Sequence, residues 1–439
     1  MSYQMDVKKS EYTSALTTVL TMVGVAVGLG NVWRFPYMMG SYGGSAFLAV
    51  YLLFTFLFAF PALMAEMTLG RISGKGTLDA FRKAFGLKVG SWIGYLLLAV
   101  VTIAGSYYAV VIANVVYTTS YSLLIGFSDE NTLHFFSLLS NNILQYSLTI
   151  LLIFCSLYII HKGLVKGIEW LSKIIMPFFV LSLLYMIIYA LTLPGALEKF
   201  VLFLQPDLTV LHSTEIFAAL GQAFFSVGLG GTFVIVYAGF MNKKESIPRM
   251  AIFTGLGDVG ASLLVSLFLV PSILVFGLDM TSGPGLIFNT FPQLFAAMPG
   301  GRLVGSLFLI ALSLVAFLSL IAAYQVPFVS VQYEKPHFSQ KKILLIIGLI
   351  QAVLALPSSL YPDLIGTLDL IFGSGMQVLG SMLCILGLTW GLRKSEVIEG
   401  MFTTSNSNTF KRWTYFWIRW VIPIALVAVL LGYIYDSVA

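Results

Sequence analysis

Apolar runs long enough to cross a bilayer recur along nearly the whole of this 439-residue chain. A helix needs about 20 such residues to traverse ~30 Å of hydrocarbon. The runs fall at roughly 13–39, 44–71, 89–125, 142–160, 165–192, 214–241, 246–277, 301–332, 341–357, 363–391 and 412–436, about eleven spans in all. They are too long for barrel strands, and in lipid the backbone must satisfy its own hydrogen bonds, so all are predicted to be helical. Composition closes the soluble alternative. Hydrophobic residues make up 58% and charged residues 10%, against about a quarter charged in a water-facing domain. The expected fold class is therefore an all-α membrane protein. It forms a single domain over 1–439 with no separable soluble part.

The loops between the runs set an orientation. Lys8 and Lys9 precede span 1, and Arg71, Lys75, Arg82, Lys83 and Lys88 follow span 2. His161, Lys162 and Lys166 follow span 4, and Lys243, Lys244 and Arg249 follow span 6. Lys335, Lys341 and Lys342 follow span 8; Arg393, Lys394, Lys411 and Arg412 follow span 10. The opposite loops hold little more than Lys199 and Arg302, beside Asp129, Glu130 and Asp207. The positive-inside rule then predicts a multi-pass protein of the cell (inner or plasma) membrane, N-terminus cytoplasmic and C-terminus outside. With the cations spread over these short loops, the net charge of +5 reads as topology, and no nucleic-acid partner is expected. The two cysteines, Cys155 and Cys384, sit inside apolar runs and the four histidines are scattered, so neither a disulfide nor a His/Cys metal site is expected. The polar first residues and long first apolar stretch predict no cleavable signal peptide.

One tetrapeptide occurs twice. Val27-Gly28-Leu29-Gly30 in span 1 returns as Val227-Gly228-Leu229-Gly230 in span 6, followed by Asn31 in one copy and by Gly231 and Thr232 in the other. Five spans separate the copies, so they enter the membrane from opposite sides. Each glycine lowers helical preference by about 1 kcal/mol, and paired Gly-interrupted segments in two halves point to a midplane binding site. The alternative use of such glycines is close helix packing. An interrupted helix frees carbonyls that suit a hard cation. The half-helix that follows presents amides and a positive dipole end to a carboxylate. A zwitterionic amino acid beside a sodium ion fits that pair of features.

The run from Gly24 through Val25, Ala26, Val27, Gly28, Leu29, Gly30, Asn31, Val32, Trp33, Arg34, Phe35 and Pro36 to Tyr37 resembles the signature of the neurotransmitter:sodium symporter family. Gly43-Gly44-Ser45-Ala46-Phe47, Tyr107-Tyr108, Gly167-Ile168-Glu169 with Met176-Pro177, and Gln222-Ala223-Phe224-Phe225-Ser226 add to the resemblance. It implies a leucine-transporter-like fold of inverted five-span repeats, here about 11–193 and 212–392, with spans 1 and 6 broken and an extra helix at 412–436. Like many bacterial members, the chain resembles an eleven-span version without the usual twelfth.

The resemblance also implies site residues. The first sodium site would use Ala26, Asn31, Ser226 and Asp258 with the substrate carboxylate; Tyr108 and the amides of Leu29 and Gly30 would hold that carboxylate. Val25, Gly28, Ala104, Gly228, Gly230, Gly231, Ser319 and Ala323 would complete the substrate pocket, with Phe225 as its lid and Arg34 and Asp369 as an outer gate. A second, weakened sodium site would use Gly24, Val27, Val315, Leu318 and Ser319, where only one hydroxyl stands in place of the family's usual two side-chain donors. One or two sodium ions are thus implied. Members that need chloride carry an uncharged residue at position 258 and a serine four residues on. Here Asp258 precedes Ser262, so no chloride is expected. Gly167 and Pro177 would bracket a cytoplasmic segment that unwinds during transport.

At positions where the resembled family often places bulky groups, this chain has Ala104, Gly231 and Ala323, which implies room for a ring. The expectation is a sodium-coupled symporter importing a hydrophobic amino acid across the lipid bilayer by alternating access. Tyrosine, tryptophan or phenylalanine are preferred, and leucine or methionine come next. A proton-coupled carrier of the same architecture is the alternative. A membrane-embedded enzyme is more distant, because no catalytic cluster, nucleophile elbow or phosphate loop is present. The oligomeric state is not set by the sequence.

Overall fold

The structure, a computed structural model, describes residues 11–438 except 206, 208, 210, 284 and 403–406. Lys8 and Lys9, used above for orientation, lie outside the described residues. Among the described residues all regular structure is helical, with no strand.

Eight helices have the length and apolarity of spans: Ser45–Ser73, Leu87–Leu124, Asn142–Leu191, Ile247–Phe276, Gly301–Glu334, Gln340–Leu360, Leu364–Gly391 and Asn408–Gly432. The third contains two of the predicted spans. They are divided at Gly163, whose φ of +83° only glycine adopts without strain, and Leu164–Glu169 and Trp170–Leu191 run on from it. A ninth span is Ala15–Ala26 with Gly30–Ser41, bent by 65° at its break. Span 6 is also broken, into Ser213–Ser226 and Phe233–Ala238. Together these give the eleven spans, numbered in chain order from here on. The first span of each five-span half is the interrupted one.

The two interruptions have different causes. In span 1 the chain leaves the helix through an extended Val27, at ψ 122°, so Gly28 is not needed for a left-handed turn. Gly28 is needed for space: a Cβ there would lie 3.1 Å from the Tyr108 hydroxyl and 3.2 Å from Ser319 Oγ. In span 6 the conformation itself demands glycine, with φ of +70° at Gly228 and +69° at Gly231.

Around the breaks, span 3 packs along span 8, the first half of span 1 lies on span 7, and the inner half of span 6 lies on span 2. Large side chains including Phe35, Tyr51, Phe224, Tyr237 and Tyr324 are fully buried between these helices. Leu345, Leu349 and Val353 of span 9 and Ile424 and Leu431 of span 11 stay exposed on the periphery, where hydrocarbon replaces water.

Candidate functional site

The two breaks meet at one cavity of about 140 Å³. Span 1 lines it with Val25, Ala26, Gly28, Leu29, Gly30 and Asn31, and span 6 with Phe225, Ser226, Gly228 and Phe233. Span 3 contributes Ala104, Gly105, Tyr107 and Tyr108. Span 8 contributes Ser319 and Ala323, and span 10 contributes Asp369, Gly373 and Gln377. Ala104 and Ala323 stand where larger side chains would shorten the cavity.

The polar end is a network reaching across three spans. Asn31 Nδ2 donates to Asp258 Oδ1 at 2.7 Å and to Ser262 Oγ at 2.8 Å. Ser226 Oγ donates to Asp258 Oδ2 at 2.5 Å, a short bond of the kind expected when the acceptor is a carboxylate. Asp258 and Ser262 are completely buried. Asn31 Oδ1 accepts the Gly28 amide at 2.9 Å, which ties the side chain back onto the break. On the same wall the Leu29 amide donates to Tyr108 Oη at 3.4 Å, and a Cβ on Gly30 would come 2.7 Å from Phe225. A close-fitting backbone edge, a tyrosine hydroxyl and buried oxygens therefore converge at this end.

Two expected lining residues fall elsewhere. Gly230 and Gly231 are not on the cavity wall: Gly230 backs onto Gln377, and Gly231 onto the Gly380 backbone and Phe81. The left-handed turn points their amides outward, and both donate to Glu66 Oε1 at 3.0 Å. Gly231 therefore adds no room for a ring; Ala104 and Ala323 do. Glu66, fully buried in span 2, is the residue that sequence reasoning missed. It accepts the two amides of the turn just ahead of the inner half-helix of span 6, Phe233–Ala238, and so fixes where that half-helix starts. A lone charge in the middle of an apolar run was the available signal.

The residues expected at a second cation site gather between spans 1 and 8. Ser319 Oγ donates to the carbonyls of Val25 and Val27, at 3.2 and 3.0 Å. Val315 and Leu318 are buried, and Leu318 closes against Gly24 at 3.0 Å from a Cβ built there. At the outer end, the Arg34 guanidinium lies 4.2 Å from the Phe225 ring centroid and donates to Ser374 Oγ at 3.3 Å. Asp369 accepts the Tyr107 hydroxyl at 3.1 Å and lies within electrostatic reach of Arg34. Asp369 also opens a wide π-helical turn, Asp369–Gly375, a distortion often found at functional sites. Arg34, Phe225 and Asp369 thus form one layer above the cavity.

At the other face, helix runs without interruption through Gly167 and Pro177. Gly167 is buried against the Ile159 carbonyl, and the left-handed glycine of this region is Gly163.

Comparison with known proteins agrees with this architecture. A sodium-dependent transporter of Bacillus subtilis (strain 168), YhdH, is 28% identical over 443 residues, covering 97% of this chain and 98% of the relative. One from Methanocaldococcus jannaschii is 30% identical over 372 residues, 79% of this chain and 74% of the relative. The crystal structure of MhsT in complex with L-phenylalanine superposes with a TM-score of 0.86 at 30% identity, covering 97% of this chain and 99% of that one. The profile of the sodium:neurotransmitter symporter family matches residues 9–131 and 127–437, so nearly the whole chain is accounted for. The chain belongs to the sodium:neurotransmitter symporter family, a family of membrane transporters and not of enzymes.

Proposed function

We propose that this protein imports a hydrophobic amino acid with an aromatic side chain, coupled to one or two sodium ions and independent of chloride. The carrying observation is that Asn31 and Ser226, from two spans, line a cavity shared with Ala104, Gly105 and Ala323, and that both are hydrogen-bonded to Asp258 of a third span behind them. Oxygen donors suit a hard cation. Small apolar walls suit a ring, and the phenylalanine bound by the similar MhsT is consistent with that choice. Leu29, Gly30 and Tyr108 would hold the substrate carboxylate, with the sodium ion completing its charge balance.

Asp258 supplies a fixed negative charge beside the cation, which removes the need for a chloride ion. Phe225 closes the cavity under Arg34 and Asp369. The halves 11–193 and 212–392 rock about the shared breaks, with the N-terminus in the cytoplasm and the C-terminus outside. Gly167 to Pro177 is the segment that yields on the cytoplasmic side.

The test is uptake of labelled tyrosine, tryptophan, phenylalanine and leucine into proteoliposomes, with a sodium, potassium or proton gradient imposed in turn. Uptake should follow sodium alone, and an aromatic substrate should outcompete leucine. Equal uptake on a proton gradient without sodium would replace the reading with a proton-coupled carrier.

A further inference from the structure

Span 11 carries a cation that the transport site does not use. Arg419 lies in the turn Trp417–Val421, level with the last turn of span 10. Its guanidinium carbon sits 4.2 Å from the ring centroid of Trp390, 5.7 Å from Trp420 and 6.0 Å from Tyr415. Nη1 donates to the Tyr415 hydroxyl at 3.2 Å, and that hydroxyl donates to the Thr389 carbonyl at 3.1 Å. Among the described residues no carboxylate pairs with Arg419, and its Nε is buried with no hydrogen-bond partner. A guanidinium has five N–H donors and keeps its charge. Aromatic faces attract the charge, but they leave the in-plane donors unmet. Within a span an unneutralised charge is costly and calls for a partner.

The surroundings say what that partner is. Lys394, exposed just beyond span 10, places its ammonium 5.2 Å from the Tyr415 centroid, on the other side of the same corner. Arg412 stands seven residues before Arg419, about 10 Å along span 11. Arg412, Trp413 and Phe416 line an open groove of about 290 Å³ there. Further along, Trp420, Ile424, Val427 and Leu431 are exposed and apolar, as a surface against acyl chains must be. Lys394 and Arg419 share Tyr415, Arg412 follows about 10 Å along the same helix, and the exposed apolar stripe begins at Trp420. Basic pockets of this kind between helices, at the membrane surface, suit anionic headgroups.

We propose that the corner between spans 10 and 11 is a binding site for an anionic phospholipid of the inner leaflet. The phosphodiester meets the terminal N–H groups of the half-buried Arg419 guanidinium, Lys394 and Arg412 add charge, and the acyl chains lie along span 11. The leaflet rests on the orientation given under Proposed function; the site does not depend on the substrate or the coupled ion.

The purified full-length protein, titrated with phosphatidylglycerol or phosphatidylcholine and read by native mass spectrometry, tests this. Phosphatidylglycerol should be retained at a concentration at least tenfold lower than phosphatidylcholine. Arg419→Gln should erase that preference, whereas Arg419→Lys should keep part of it. Phosphatidylglycerol with brominated acyl chains should quench tryptophan emission in the wild type, and less in Trp420→Phe. If Arg419→Gln does not fold, a Lys394→Gln/Arg412→Gln variant should lower the preference several-fold. Equal retention of the two lipids by the wild type, or an unchanged preference in the variants that fold, would overturn the assignment. So would displacement of the lipid by millimolar inorganic phosphate, which would make the site one for a free anion.

Discussion

Asp258→Asn isolates the part played by a single charge. The carboxylate is fully buried and accepts hydrogen bonds from Asn31 at 2.7 Å and Ser226 at 2.5 Å. An asparagine keeps nearly the same volume, so packing is preserved; the charge is lost, and one accepting oxygen becomes an N–H donor that Ser226 can accept by turning its hydroxyl. A cation bound about 4 Å away interacts with a carboxylate by ~4 kcal/mol at the effective dielectric of a protein site. At 1.4 kcal/mol per tenfold, that is up to roughly 10³ in sodium affinity. The surroundings decide whether a mobile anion can restore it. Ser262 Oγ is 2.8 Å from Asn31 Nδ2, and the Tyr51 hydroxyl is 3.4 Å from Ser226 Oγ. The buried amide of Gln222 has neither its nitrogen nor its oxygen partnered. The Ser262, Ser226 and Tyr51 hydroxyls around position 258 are donors of the kind a chloride ion needs, and Gln222 lies one turn before Ser226 in span 6. Sodium-dependent uptake in vesicles, measured in chloride and in gluconate, gives the comparison. The wild type should behave alike in both salts. Asp258→Asn should need at least a hundredfold more sodium in gluconate, and chloride should recover tenfold or more of that loss. Wild-type uptake that rises several-fold with chloride, or a variant indifferent to it, would refute the substitution of one charge for the other.

Three further outcomes are expected. Asn31→Leu should abolish sodium-dependent uptake while the protein still folds and inserts, with a lowered melting temperature because Asp258, Ser262 and the Gly28 amide each lose a buried partner. Glu66→Ala should cost roughly 2–6 kcal/mol, since two buried amides lose their acceptor at about 1–3 kcal/mol each; a lowered melting temperature with uptake lost checks it, and a silent variant would remove Glu66 from the support of span 6. Gly167→Leu, whose Cβ would collide with the Ile159 carbonyl oxygen and force the backbone there to shift, should slow turnover more than it weakens equilibrium substrate binding; unchanged turnover would leave Pro177 as no more than a residue that helix Trp170–Leu191 accommodates.

Much of this architecture is legible in sequence because lipid simplifies the code. Span limits follow from run length alone: 246–277 is found as Ile247–Phe276, and 363–391 as Leu364–Gly391. Repetition of a tetrapeptide is enough to locate both breaks. Hidden features depend on partners far along the chain. Glu66 meets amides 164 and 165 residues away, and nothing near it in sequence announces them. Direction is hidden too: Gly230 and Gly231 continue the same motif as Gly228, yet the left-handed turn aims their amides at span 2 and away from the cavity. Short helices outside the apolar runs, such as Thr77–Phe85 and Lys394–Met401, carry charge and escape a search for hydrocarbon-spanning segments.

Substrate binding should itself depend on sodium, and Asn31 shows why. Its Nδ2 faces Asp258 and its Oδ1 holds the Gly28 amide. The amide NH2 has no lone pair to offer and cannot coordinate a cation; the carbonyl oxygen can. A sodium ion seated between Asp258 and Ser226 therefore favours a half-turn of the Asn31 amide, which brings Oδ1 to the ion and releases the Gly28 N–H at the cavity edge. The substrate carboxylate can accept that freed donor, beside Leu29 and Tyr108. One hydrogen bond to a charged group contributes about 1.5–3 kcal/mol, so sodium should tighten substrate binding by roughly 10- to 100-fold before any direct contact between ion and carboxylate is counted. Linkage makes the effect reciprocal: saturating substrate should lower the sodium concentration for half-occupancy by the same factor. Equilibrium binding of labelled substrate to the solubilised protein, in sodium and in potassium at equal ionic strength, measures both. Equal affinity in the two salts would show that Asn31 keeps its present bonds through the cycle, and the ion and the substrate would then have to be linked through the larger movements of spans 1 and 6 instead.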